Sequence, residues 1–563
     1  MLLNILLAAL SGLMLVFAYP RWNVNALVWV WMIPLLYALW NPKWSLKSLR
    51  RHFLLGWIAG VVFFITNLFW LRHSSRVING AADETWIGWG PELMGLGAVL
   101  AMGLYLAIYF GLWAMFAATV GRPRIGSAAP AGLFSSSLES LRSASLNAAA
   151  WVACEWLRGT VMTGFGWNGL AVPLADDLSM VQFADTVGVT GLSFIPVFCA
   201  CIGYNTVLRF ADEVRTRRVR PHLDFYCAVA LVLGCFLYGI HKLSTPHADE
   251  SISLRVALVQ QNISQAEKWS GQQDEKIYQG YGQLTRAFAS TAHPPDLIVW
   301  PESALPLPFH HPNHVPFLNE VLALGDFSLL TGTDIIEENK PSYTGAALMR
   351  GSFDNHHLYR KIHLVPFGEY LPLRSFPPMR WLLSGMFPYD FASGTSTEPL
   401  KLEKPSGVEI IPLICFEDTV GSLARKFVRD APQLIVNMTN DGWFMHSEAN
   451  EQQLANAVFR CIELRRPMAR AVNTGVTCFI DTEGRINKGD RLADAKTGSV
   501  FIKGVLPKDV KLKKHPTMTF YALHGDLFSI AMLIITGASV VIRLVSNRGW
   551  CWTDAGLRDT KGA

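Results

Sequence analysis

Three short stretches of this sequence carry residue types that could move an acyl group. In Leu297-Ile298-Val299-Trp300-Pro301-Glu302-Ser303 an apolar run ends in a carboxylate, with Pro301 fixing the turn. In Tyr359-Arg360-Lys361-Ile362-His363-Leu364-Val365-Pro366-Phe367-Gly368-Glu369-Tyr370, Lys361 and Glu369 flank an apolar loop. In Ile410-Ile411-Pro412-Leu413-Ile414-Cys415-Phe416-Glu417-Asp418 a cysteine ends a strand-like run, with acids just behind it. A thiol of ordinary pKa, about 8.5, attacks a carbonyl only as thiolate and needs a base or a cation nearby. Glu302 can accept its proton. Lys361 can favour the thiolate and donate to the oxyanion of a tetrahedral intermediate, a role worth about 3 kcal/mol per donor. Singly, each residue also reads as something plainer: a turn carboxylate, a surface lysine, a small buried hydrophobe. Spacing alone does not bring them together.

The elements that must position these residues fall into two kinds. The chain has 563 residues, 51% hydrophobic and only 17% charged, with a mean hydropathy of +0.25, too apolar for an ordinary soluble enzyme. Its net charge of +5 is modest, and the basic residues cluster between apolar runs, which suits membrane orientation and argues against nucleic acid as a partner. Nine cysteines without paired or His-rich spacing indicate neither a metal site nor a disulfide framework. Apolar runs at 2–18, 26–40, 53–71, 93–120, 146–157, 189–208, 225–240 and 521–542 predict about eight spans, those at 26–40 and 146–157 being short for a bilayer.

Lys and Arg gather after the second, fourth and sixth runs: Lys43, Lys47, Arg50 and Arg51; Arg122, Arg124 and Arg142; Arg209, Arg215, Arg217, Arg218 and Arg220. Short cytoplasmic loops retain positive charge. Both termini are therefore expected in the cytoplasm and the segment from about His241 to Phe520 on the far side. The expected organisation is a transmembrane domain of about seven spans over 1–241, a water-facing domain over 242–520, a last span over 521–545 and a cytoplasmic tail over 546–563. The Ser- and Ala-rich stretch from Gly126 to Asn147 reads as a flexible linker. In the water-facing segment, strand-like runs at 254–259, 297–300, 328–331, 409–415, 434–438 and 477–481 alternate with helical patterns. Leu454, Val458, Cys461 and Ile462 recur at the spacing of an amphipathic helix between Glu451 and Arg466. Continuous apolar strands predict an α/β domain with sheets buried on both faces.

The blocks WPES, RKIHLVPFGEYLP and ICFED, in this order and followed by Asn437-Met438-Thr439-Asn440-Asp441-Gly442-Trp443-Phe444, resemble the nitrilase superfamily. With the flanking apolar runs, the chain resembles its membrane-embedded branch, the bacterial apolipoprotein N-acyltransferases. The resemblance implies an extracytoplasmic αββα sandwich joined to an α-helical transmembrane bundle of the inner membrane. It implies Glu302 as general base, Lys361 as oxyanion stabiliser and Cys415 as nucleophile, with Glu369, Glu417, Phe416 and Trp443 supporting the site or its substrate. No metal or cofactor is implied. The implied partners are a phospholipid acyl donor, diacylglyceryl-modified apolipoproteins and membrane lipid, and the implied reaction is acylation of an N-terminal amine through a Cys415 thioester. Leu364 to Leu373 and Phe376 to Phe391 could form an apolar lid. Phe416 departs from the family's usual tyrosine, Gln453 from a histidine, Met445 from a glycine, and Gly164-Phe165-Gly166-Trp167 lacks a proline. Two rivals use the same residues differently: a membrane-tethered amidase acting on a small soluble substrate, and a non-catalytic scaffold or transporter. For transport, Glu155 is the clear intramembrane candidate.

Overall fold

The computed structural model describes residues 1–40, 49–74, 89–124, 134–217, 219–245, 250–265, 268, 273–336, 341–372, 374–375, 377 and 390–556. Among the described residues, five helices are long and apolar enough to cross a membrane: Leu49–Asn67, Glu92–Thr119, Phe194–Thr216, Leu223–Ser244 and Leu527–Ser546. Leu2–Ala18 is apolar but shorter, and the second apolar run divides into a turn, Asn25–Trp29, and a helix, Ile33–Trp40.

One expectation needs correction. The stretch 126–147 is no flexible linker over its described part, because Ser135–Arg158 is one continuous helix. Three of its serines are buried: Ser137 donates to Pro221 O, Ser143 donates to Gly121 O, and Ser140 accepts from Asn205. Small side chains let neighbouring helices come close, so a composition that reads as loop in isolation is helical when packed. The helix buries Glu139, Asn147 and Glu155 among the other helices. At the far end, the last helix is Leu527–Gly556, and its apolar, membrane-length part is Leu527–Ser546. The proposed lid residues Phe376, Trp381, Phe387 and Tyr389 lie outside the described residues.

Among the described residues, the segment after helix Leu223–Ser244 contains eleven strands, β1 (Ser251–Gln260), β2 (Leu297–Val299), β3 (Ser328–Ile335), β4 (Tyr343–Arg350), β5 (Ser352–Arg360), β6 (Leu400–Lys401), β7 (Glu409–Ile414), β8 (Gln433–Thr439), β9 (Met468–Val472), β10 (Cys478–Ile480) and β11 (Gly504–Lys513). They form a six-stranded sheet, β11-β1-β2-β3-β4-β5, and a five-stranded sheet, β10-β9-β8-β7-β6. Neighbours β1, β2 and β3 are parallel, as are β7, β8 and β9. Alternation along β1 explains the layering. Leu254, Val256 and Leu258 join Ile410, Leu434 and Val436 in the core between the sheets, while Ala257 and Val259 pack with Ile277, Tyr281, Leu318 and Val321 of the covering helices Asp274–Ala289 and His314–Leu322. Successive side chains of a strand point to opposite faces, so a strand covered on both sides must be apolar throughout.

The other outer face is covered by helix Ala449–Leu464, which meets the membrane bundle on its far side. Gln452 is the main tie there. Its Oε1 accepts from Trp167 at 2.9 Å and from Trp70 at 3.3 Å, and its Nε2 donates to Pro20 O at 3.2 Å and Asn67 Oδ1 at 3.1 Å. Arg465 adds a partly buried ion pair with Asp185 at 2.8 Å, and Glu463 accepts from the Val189 N–H at 2.7 Å.

Candidate active site

Each of the three reactive groups sits just beyond a strand end. β2 delivers Glu302 through Pro301, and the turn is packed so closely against β3 that a Cβ on Gly332 would lie 2.5 Å from the Glu302 Cα. Glycine is required at that approach. β5 delivers Lys361, whose N–H donates to Thr344 O on β4 at 2.9 Å. β7 delivers Cys415 at φ +50°, a left-handed turn that few non-glycine residues adopt. Ser303, next to Glu302, is also left-handed at φ +45°.

The structure brings the three together in one buried cluster. Lys361 is completely buried, Glu302 is 6% exposed and Cys415 8%. Lys361 Nζ lies 3.6 Å from Glu302 Oε1 and donates to Glu369 Oε1 at 2.7 Å. Burial alone would lower the lysine's pKa, but Glu369 and Glu302 together raise it, so it stays charged. Glu302 is pushed up to about 7, chiefly by burial, with Lys361 pulling it back. Its Oε2 is buried with no hydrogen-bond partner among the described residues. The Cys415 thiol is raised well above its ordinary value by burial and then by Glu302, against the opposing pull of Lys361. The resting sulfur is therefore a thiol, and an acceptor for its proton must be present at the moment of attack.

Glu369 and Glu417 hold the walls. Glu369 Oε2 accepts from the Val365 N–H at 2.7 Å, closing the loop after Lys361. Glu417 is fully buried and accepts from Tyr359 OH at 2.9 Å, Ile362 N at 2.8 Å, His363 N at 3.0 Å and Ile414 N at 2.8 Å. It thereby pins the end of β5 to the end of β7, Lys361 to Cys415. Phe416 stacks on His363, Phe165 and Trp167 at centroid separations of 5.6, 5.7 and 6.1 Å. Trp443 does not join this stack: it is half-buried in the turn Asp441–Phe444, and its neighbour Phe444 makes the ring contacts with Trp70 and Trp167. Met445 adopts φ +53°, a backbone conformation that favours glycine. Gln453 donates to Asp418 at 3.3 Å.

Sequence reasoning missed three contributions. Lys268 is buried and donates to Glu302 O at 3.5 Å; burial lowers its pKa to about 8. Behind Cys415 lies a second buried charge layer in which Arg470 faces Asp441 at 3.5 Å, and Asp418 is raised to about 7 by burial. Third, Phe165 and Trp167 come from the membrane half. Their loop is held by Arg158, which donates to Phe165 O at 3.1 Å and Trp167 O at 2.6 Å, and by Glu155, which accepts from Leu170 N at 3.0 Å, Ser193 Oγ at 2.8 Å and Trp151 Nε1 at 3.1 Å. The acid singled out for transport is thus bonded into a loop that abuts the site. A run of small and aromatic residues, Gly164 to Gly169, was the available signal.

Residues 11–202 match the family model of the apolipoprotein N-acyltransferase N-terminal domain, and residues 255–497 that of the carbon-nitrogen hydrolases. Among solved structures, an amidase from Nesterenkonia sp. is 15% identical and covers 47% of this chain and 94% of its own, with a TM-score of 0.33. The apolipoprotein N-acyltransferase of Caulobacter vibrioides is 30% identical over 94% of this chain and 93% of its own. That of Geobacter metallireducens is 31% identical over 96% of this chain and 95% of its own. A likeness of that extent, spanning both the bundle and the sandwich, means that the chain belongs to the apolipoprotein N-acyltransferase family.

Proposed function

We propose that this chain transfers a fatty acyl group from a phospholipid to the α-amino group of the diacylglyceryl-modified N-terminal cysteine of apolipoproteins, with Cys415 as nucleophile, Glu302 as general base and Lys361 as oxyanion stabiliser. The observation that carries it is the buried grouping of these three side chains beneath an aromatic stack shared with the membrane half. Glu302, with its unpartnered Oε2, takes the thiol proton as sulfur attacks the ester carbonyl. The negative oxygen of the tetrahedral intermediate accepts from Lys361 Nζ. Collapse breaks the ester C–O bond, Glu302 returns the proton to the departing lysophospholipid oxygen, and a thioester remains. The incoming amine attacks that thioester, Glu302 receives its proton, and an amide forms as the Cys415 sulfur leaves and is reprotonated. Glu369 and Glu417 set the positions of Lys361 and Cys415, while Phe416 and Trp443 border the acyl path.

The same reading divides the chain into a transmembrane domain of about seven spans at 1–241, a periplasmic catalytic domain at 242–520, a last span at 521–545 and a cytoplasmic tail at 546–563. It sets the protein in the inner membrane with both termini in the cytoplasm. The basic clusters support that orientation, and both lipid-anchored substrates then reach the pocket at the outer leaflet of that membrane. Five long apolar helices and a polar seam locking sandwich to bundle favour this over a tethered amidase, which would need one anchor. Purified protein incubated with phospholipid labelled in its acyl chain is expected to acquire label in a thioester that hydroxylamine removes. Absence of label, or label persisting in Cys415→Ala, overturns the mechanism.

A further inference from the structure

The sulfur of Cys415 has a hydroxyl beside it that the acyl transfer described above leaves idle. β7 and β8 are parallel partners with Ile414 opposite Met438, so the next residue of each, Cys415 and Thr439, stand side by side where the two strands end. Asn437, two residues before Thr439 on β8, ties the pair together by donating to Cys415 O at 3.4 Å. Thr439 is completely buried. Its side chain is β-branched and stiff at χ1, so Oγ1 stays in place while the proton it carries can turn.

Two acceptors face that one proton. Oγ1 donates to Asp441 Oδ1 at 3.1 Å. It also reaches the sulfur: burial raises the Cys415 thiol, Glu302 raises it further, and Lys361 and then a hydrogen bond from the Thr439 hydroxyl pull it back. A hydroxyl donates once, so it serves one acceptor at a time. Asp441 does not depend on it. This carboxylate is fully buried, with Arg470 Nη2 at 3.5 Å from its Oδ2; burial raises its pKa, and Arg470, ahead of Thr439, holds it down. Arg470 is fully buried too, and its Nε and Nη2 have no hydrogen-bond partner among the described residues, so the guanidinium can compensate the carboxylate when the hydroxyl turns away. The sulfur has less to fall back on. Lys361, the cation that favours the thiolate, already donates to Glu369 at 2.7 Å and is drawn to the oxyanion during reaction.

We propose that Thr439 is a further catalytic residue, whose hydroxyl donates to Asp441 while Cys415 is a thiol or a thioester and turns to donate to the sulfur whenever the sulfur carries negative charge. The assignment rests on Cys415 being the nucleophile of the acyl transfer above. Its effect is clearest in the second half of the cycle. As the amine attacks the thioester, a C–N bond forms, the C–S bond breaks and its electron pair goes to sulfur, while the amine proton goes to Glu302. The hydroxyl stabilises the departing thiolate until Glu302 returns the proton to it. A hydrogen bond to a charged partner of this kind is worth about tenfold to a hundredfold.

The test compares the natural full chain in detergent with Thr439→Val, which keeps the branching and removes the hydroxyl, and Thr439→Ser, which keeps the hydroxyl. The first readout is alkylation of Cys415 by iodoacetamide against pH, followed by the mass of its peptide, since the thiolate is the reacting form. Glu302 after β2, Lys361 after β5, Asp441 after β8 and Arg470 on β9 face the sulfur and are the same in all three proteins, so a difference belongs to the hydroxyl. Thr439→Val is expected to move the alkylation limb to higher pH and to slow alkylation about tenfold or more on that limb; Thr439→Ser is expected to bring both back. The second readout is discharge of acyl label from Cys415 to a diacylglyceryl-modified peptide, with the same pattern in its rate constant and no change in the KM for the peptide. If valine does not fold, Thr439→Ala makes the same deletion. An unmoved limb in the variant without the hydroxyl, or a shift that Thr439→Ser fails to reverse, overturns the proposal. A limb that moves as expected in a protein that never takes label from phospholipid counts against the phospholipid donor and still supports the Thr439 bond to sulfur.

Discussion

Glu302 and Glu417 are both buried within the same pocket wall, yet their surroundings differ in kind. Glu417 is saturated by a phenol and three backbone N–H groups that lock two strand ends together. Glu302 has a cation at 3.6 Å on one oxygen and no partner among the described residues on the other. A carboxylate with every lone pair occupied is a fastener; one with a lone pair held open beside a thiol is poised to take a proton. Burial raises both carboxyls, so the difference lies in hydrogen bonding and not in desolvation.

That contrast can be broken by substitution. Glu302→Gln is expected to lower acyl-enzyme formation by about 10²–10⁴-fold while leaving the thermal midpoint unchanged or higher, since a neutral amide is easier to bury; a midpoint that falls with the activity would make Glu302 structural. Lys361→Met should cost about 10²–10³-fold in the rate of labelling. It should also leave Glu369 Oε1 without its donor, so a preserved rate would remove the lysine from the chemistry. Glu417→Gln should reverse the pattern: with its amide facing backbone donors it loses about 3 kcal/mol or more of stability, read as a midpoint several degrees lower. At a temperature where it is folded, its labelling should fall far less than that of Glu302→Gln.

The smallest effect concerns pH. The base must be ionised to act, and its pKa is raised to about 7, so labelling should fall as pH drops through about 7, by about tenfold per unit below it. Lys268 favours the ionised form, and Lys268→Met should move that limb to higher pH. A limb near the ordinary carboxylate range, or one that Lys268→Met leaves in place, would show that Glu302 does not set it.

Much of the sandwich was legible because its determinants are local. β1, β2, β3, β7 and β8 are apolar runs flanked by turn residues, and Glu302 and Cys415 stand where two of those runs stop, whereas Lys361 follows β5, too polar to read as a strand. Their adjacency was not legible from spacing, because it depends on two strand ends being pinned by Glu417. The membrane contribution was hidden for the same reason on a larger scale: Trp167 and Gln452 meet across 285 positions of sequence. The Ser-rich start of helix Ser135–Arg158 misled because serine is weakly helical alone, and tertiary packing of small side chains, not propensity, makes that helix.

The Gln452 tie has a consequence for how the two halves can change. One side chain satisfies groups on three separate stretches of the bundle, at Pro20, at Asn67 and Trp70, and at Trp167. A sandwich borrowed from a relative would arrive with its own residue at that position and strand several buried polar groups at once. Chimeras should therefore succeed only when helix Ala449–Leu464 travels with the bundle it was fitted to, which makes that helix, and not the interdomain chain crossing near 245, the natural boundary for exchange.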